Sequence, residues 1–144
     1  MTDDQLLTWQ PEYSVHIDSI DRQHQALIGM IRQLKEAMWE GRGQEFQRTL
    51  INRLVTYVGV HFEFEQQLLA KMGCATLAEH TALHQTLTNQ VLDLQKRIHE
   101  SGAVSNASLM MFMRHLLTDH ILGRDRPDFA ALQSVPAGTS ATSN

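Results

Sequence analysis

One cysteine, three prolines and eight glycines are all that 144 residues contain of the residue types that staple or punctuate a chain. A lone thiol, Cys74, has no internal partner for a disulfide, which argues against a stapled secreted scaffold and fits a reducing compartment. Nowhere do as many as about 18 apolar residues run together, so no membrane-spanning helix is expected. The start, MTDDQLLTW, has neither the basic nor the apolar region of a secretory leader, and the expected location is the cytoplasm. Positive charge is also scarce. Twelve Lys and Arg stand against 16 Asp and Glu, without a basic cluster, so no nucleic acid and no anionic membrane surface is expected as a partner. Hydrophobic residues make up 42%, enough for the core of one domain.

Histidine is abundant, with eight residues against two tyrosines and two tryptophans. Where these histidines fall depends on how the chain is divided. Gly41-Arg42-Gly43, Gly73 and Ser101-Gly102 separate four long segments of helical composition, which predicts helices near 19–40, 44–72, 76–100 and 105–122. Short connections between long helices favour an all-α fold, an antiparallel up-down-up-down four-helix bundle. Residues 1–18, with Trp9, Pro11 and Tyr13, form an N-terminal arm expected to pack on a bundle spanning 19–130. Residues 131–144, ending QSVPAGTSATSN, have the composition of a disordered tail.

Each segment carries one apolar stripe at helical spacing. The first is Ile20, Leu27, Ile31, Leu34 and Met38, with His24 at the step between Ile20 and Leu27. The second runs Phe46, Leu50, Leu54, Val58, His61, Glu65, Leu68 and Met72. Leu77, His80, His84, Leu87, Val91, Leu94 and Ile98 form the third, and Leu109, Met113, Leu116 and His120 the fourth. Five histidines and a glutamate thus occupy positions where leucine is expected. His99 and His115 lie one position off their stripes, and His16 precedes the first helix.

Burying five imidazoles and a carboxylate without partners costs roughly several kcal/mol per group, comparable to the whole stability of a small domain. A bound cation removes that objection by using the lone pairs. His61 and Glu65, like His80 and His84, are i,i+4 pairs and share a helix face. In an up-down-up-down bundle the starts of helices one and three lie beside the ends of helices two and four. His24, His80 and His84 are near starts; His61, Glu65 and His120 are near ends, so all six fall in one layer. Asp125 follows by a separate argument. Five residues of continued helix at about 100° each rotate it away from His120, but a helix ending at Gly123 lets the chain fold back. On geometry alone Asp119 and Asp128 compete with it.

The stretches YSVHIDSIDRQH (13–24), HFEFEQQLL (61–69), HTALH (80–84) and HLLTDHILGRD (115–125) resemble the hemerythrin and bacteriohemerythrin family in order, spacing and context. The resemblance spans about residues 9–129 and fills all seven of the family's ligand positions. It implies a non-haem di-iron centre in which His80, His84 and His120 hold one iron, His24 and His61 the other, and Glu65 and Asp125 bridge them together with an oxo or hydroxo group. It also selects Asp125 over its neighbours. One iron would keep a position open for dioxygen.

Ferritin-like di-iron oxidases use Glu-x-x-His pairs, and the sequence contains none. A histidine-rich pair stabilises high-valent iron less than carboxylates do, because ligand charge sets the potential. Reversible dioxygen binding is therefore the leading expectation, for carriage, storage or delivery, served by an oxygen-consuming enzyme or a reductase as partner, in a monomer. The alternatives are an oxygen or redox sensor, a di-iron enzyme reducing peroxide or nitric oxide, and an interaction protein with a structural metal. The oxygen pocket should be apolar, with Leu27, Phe62, Leu116 and Leu117 as candidates. Three positions depart from the family. Leu116 stands where it commonly carries a tryptophan, which would leave space beside the irons; Cys74 stands where a tyrosine usually follows the glycine; His16 replaces a small residue.

Overall fold

The computed structural model describes residues 2–101 and 106–133. The turn expected at Gly102 and the tail from residue 134 onward lie outside the described residues. Four long elements dominate: α2 (Asp18–Trp39), α3 (Gln44–Lys71), α4 (Leu77–Ser101) and a last helix that begins as α5 (Asn106–Arg114). They follow α1 (Asp3–Leu6) and a 3₁₀ turn at Pro11–Tyr13. Contacts close a ring, α2 on α3, α3 on α4, α4 on α5 and α5 on α2. Neighbours in sequence are neighbours in space, and the chain reverses at each connection: an antiparallel four-helix bundle.

Two of those reversals follow from glycines. Gly41 (φ 66°) and Gly73 (φ 77°) adopt the left-handed conformation that a side chain disfavours. After α2, the Gly41 N–H donates to Met38 O (3.3 Å) and the Arg42 N–H to Ala37 O (2.9 Å). After α3, Gly73 and Cys74 repeat the pattern onto Ala70 O (3.1 Å) and Leu69 O (3.0 Å). Both ends are Schellman caps, which consume the last free carbonyls of the helix. The half-buried Cys74 shares an apolar cluster with Leu69, the contact such a cap favours.

The fourth helix departs from expectation. Gly123 does not end it: the chain stays helical from Asn106 to Gln133, and residues His115–Asp125 widen into a π-helix before α6 (Arg126–Gln133). The Arg126 N–H donates to Ile121 O, five residues back. Glycine matters here for space, since a Cβ at position 123 would lie 3.1 Å from Thr118 O. In a widened turn, residues five apart share a face, so Asp125 returns beside His120 without any fold-back.

Buried aliphatic residues fill the bundle, and Tyr13 from the arm is wholly buried with them. Its O–H donates to Leu6 O (2.7 Å), and Trp9 meets its ring edge-on at 5.7 Å. Asp21 accepts from Ser14 Oγ (2.6 Å) and from the Val15 N–H (2.9 Å), tying the arm to α2. Phe46, expected inside, is 38% exposed and lies under the Arg42 guanidinium at 4.2 Å. Gln47 is buried instead, its amide donating to Arg42 O (2.9 Å). No described helix is long and apolar enough to cross a membrane.

Candidate metal centre

All seven residues expected as ligands converge at one end of the bundle, each with at most 2% exposure. His24 comes from α2, His61 and Glu65 from α3, His80 and His84 from α4, and His120 and Asp125 from the π-helical segment. Their donor atoms form two sets, each gathered within 4.8 Å: Glu65, His80, His84, His120 and Asp125 in one, His24, His61, Glu65 and Asp125 in the other. Both carboxylates belong to both sets.

The Nε2 atoms point inward. His80 Nε2 is 2.7 Å from Glu65 Oε1 and from Asp125 Oδ1. His120 Nε2 is 3.1 Å from the same two oxygens and 2.8 Å from His84 Nε2. On the other side His24 Nε2 is 3.0 Å from Asp125 Oδ2 and His61 Nε2 is 3.2 Å from Glu65 Oε2. Three rings are oriented from behind. The Nδ1–H groups of His61, His84 and His80 donate to Gln23 Oε1 (2.7 Å), Gln66 Oε1 (2.7 Å) and Asp128 Oδ2 (2.8 Å). A neutral imidazole has one hydrogen, and here it is spent outward, so each Nε2 presents a lone pair to the centre.

Lone pairs facing carboxylate oxygens need positive charge between them. Protons supply part of it in the metal-free protein. Burial lowers the His80 pKa, but hydrogen bonds and charge from Asp125 and Glu65 outweigh it and raise the value to about 10. Burial, then the charge of Glu65, pushes Asp125 well up, while at Glu65 the surrounding imidazoles overcome burial and hold the carboxyl well below its usual range. The two carboxylates divide as a pair sharing one site should. Burial drives His120 down to about 3 and lowers His61 and His84, so those imidazoles do not take up protons at neutral pH. His24 Nε2 and His61 Nε2 face Glu65 Oε2 at 3.4 and 3.2 Å without a well-formed hydrogen bond. A donor set of five imidazoles and two carboxylates with inward atoms so placed fits divalent or trivalent transition-metal ions.

Leu27, Phe62, Leu116 and Leu117 are buried in the adjoining core. Phe62 stacks on His84 at 4.0 Å with 3° between the rings and meets His120 edge-on at 5.2 Å. Leu116 and Met113 both have zero exposure. The remaining histidines stand apart: His99 bonds Asn52 Oδ1 (2.8 Å), His115 lies 2.8 Å from Gln90 Nε2, and exposed His16 holds a φ of 61°. Gln23, Gln66 and Asp128 were not expected behind the rings. Gln23 and Gln66 adjoin the apolar stripes and read as solvated positions, while Asp128 entered only as a competitor of Asp125 for the metal, and only the folded geometry places all three behind the rings.

The sequence matches the family described as Hemerythrin HHE cation binding domain over residues 15–132. Among curated proteins it is 32% identical to a bacteriohemerythrin of Methylococcus capsulatus over 117 residues, covering 81% of this chain and 88% of that one. It is 26% identical to the myohemerythrin of Riftia pachyptila, covering 81% and 86%. The fold superposes on the crystal structure of a wild-type hemerythrin with a TM-score of 0.78 at 29% identity, covering 88% of this chain and 98% of that one. With a matching family description over most of its length and a buried histidine-carboxylate cluster able to hold metal, the chain belongs to the hemerythrin family.

Proposed function

We propose that this chain binds dioxygen reversibly at a di-iron centre, with His80, His84 and His120 on one iron, His24 and His61 on the other, and Glu65 and Asp125 spanning both. The observation that carries this reading is the unequal sharing of donors. One set has three imidazoles, the other two, and both draw on the same carboxylates. Two irons held by these residues would supply the two electrons that dioxygen takes on binding and returns on leaving. The side with fewer imidazoles is where a small ligand can enter.

The remaining work falls to the chain. Gln23, Gln66 and Asp128 fix three imidazoles so that their Nε2 lone pairs stay aimed inward. Leu27, Phe62, Leu116 and Leu117 keep water and anions from the centre, and the face of Phe62 covers His84. The absence of Glu-x-x-His pairs favours return of the oxygen over its use as an oxidant. On this reading the protein is a cytoplasmic monomer whose partner is an oxygen-consuming enzyme or a reductase.

Reduced protein is exposed to oxygen under anaerobic control and then purged while the visible spectrum is followed. Two irons per chain and a band that appears with oxygen and leaves with argon are expected. Zinc in place of iron after growth in iron-rich medium would sink the proposal, as would steady consumption of oxygen, which would favour an enzyme.

A further inference from the structure

Only one of the three hydrogen bonds behind the histidines ends on a charged group. His61 and His84 donate to amide oxygens, whereas His80 donates to the carboxylate of Asp128. Asp128 is itself pinned. The Thr76 O–H donates to its Oδ1 at 3.1 Å, and Arg124 approaches the same oxygen at 3.6 Å. Its side chain is 10% exposed. Thr76 immediately precedes α4, where its carbonyl accepts from the His80 N–H at 3.0 Å. One residue therefore fixes His80 twice, through the helix start and through the carboxylate. Beyond it, Cys74 Sγ lies 3.6 Å from Thr76 Oγ1.

We infer that Asp128, held by Thr76, is a positioning residue that makes His80 the strongest donor of the five imidazoles and the electronic anchor of the three-histidine side. This rests on the di-iron reading above. A carboxylate accepting the Nδ1–H draws that proton outward and leaves more electron density on Nε2; an amide oxygen does so less. His80 is also the imidazole closest to both carboxylates, at 2.7 Å from each, so its orientation sets theirs. An extra negative charge behind one iron favours its oxidised form and makes the two irons unequal in potential as well as in donor number.

The test uses the full chain and two readouts: cobalt(II) binding to metal-free protein, and the midpoint potential of the iron-loaded form. Asp128→Asn keeps the shape and removes the charge. It should weaken cobalt binding roughly 10- to 100-fold and move the midpoint potential upward. Thr76→Val leaves the charge but frees the carboxylate, and should shift both readouts the same way by less. Gln66→Ala serves as the contrast, removing a neutral acceptor, and should raise the potential less than Asp128→Asn does. An unchanged potential in Asp128→Asn, with melting of the metal-free protein also unchanged, overturns the inference. A shift in Gln66→Ala as large as in Asp128→Asn overturns it too. Failure of the wild type to bind cobalt or iron would instead defeat the metal reading beneath it.

Discussion

The two ends of this bundle are equally dry and chemically opposite. At one end Leu34, Leu54, Leu94, Ile98 and Leu109 are buried with at most 3% exposure, and dispersion and dehydration alone favour their burial. At the other end, seven polar side chains with at most 2% exposure crowd together, and several of their atoms lack a well-formed hydrogen bond. The apolar end stabilises the fold. The polar end draws on that stability until a cation arrives, after which metal binding becomes folding free energy.

Substitution at the two ends should therefore separate metal content from stability. His80→Ala should remove about half or more of the bound iron and lower the melting temperature of both forms, since in the metal-free form it leaves Glu65 and Asp125 without their cation. Leu94→Ala should cost about 2–5 kcal/mol in either form while iron per chain stays constant. Iron analysis and thermal melts of both variants, with and without metal, make the comparison. Equal iron loss in the two would erase the distinction between the ends.

Protonation sharpens the contrast. In the metal-free protein His80 is charged up to about pH 10, held so by the Asp125 and Glu65 carboxylates. Metal must displace that proton, so loading at neutral pH should release about one per chain. Because His80 binds its proton more tightly than an ordinary imidazole, metal affinity should climb as pH rises from neutral and level off above about 10. Calorimetry in buffers of different ionisation heat counts the protons, and a count of zero would mean that the cluster already stands deprotonated.

Smaller effects are expected nearby. Leu116 and Met113 are both fully buried, so Leu116→Trp should overpack the core and lower stability by about 1–3 kcal/mol without slowing autoxidation. Slower autoxidation at an unchanged melting temperature would instead show open space beside the irons, as the exchange of tryptophan for leucine suggests. Smallest of all, His99→Ala and His115→Ala should leave iron content untouched, since one ring bonds Asn52 and the other lies against Gln90.

What the sequence made legible follows from what is periodic in it. The helices expected near 19–40, 44–72 and 76–100 appear as Asp18–Trp39, Gln44–Lys71 and Leu77–Ser101, because glycine punctuation and a 3.6-residue stripe are local signals. The six polar residues on the four stripes come together, since a residue that breaks an apolar period still points inward. Asp125 lay off the period, and only family resemblance singled it out; the widened turn that brings it home carries no composition signal. The outward hydrogen bonds of the histidines were invisible for a related reason. A glutamine one position off a stripe, as Gln23 and Gln66 are, looks like any wetted residue until a neighbouring helix covers it, and Asp128 drew notice only as a competing ligand. Phe46 misled in the opposite sense, being apolar on the right step but near the start of α3, half open to solvent with the Arg42 guanidinium over its ring.

The π-helical stretch from His115 to Asp125 also constrains how this chain can change its length. Tightening a wide turn into an α-turn takes out one residue, and four α-helical residues at about 100° each come back to nearly the face that five residues of the wider turn reach. A single-codon deletion between His120 and Asp125 can therefore be taken up by tightening the turn, with both side chains still on one face. A deletion within α2, α3 or α4 has no such slack and swings everything beyond it by about 100° about the helix axis, so the stretch from His115 to Asp125 is where this chain can lose a residue and keep its ligands together.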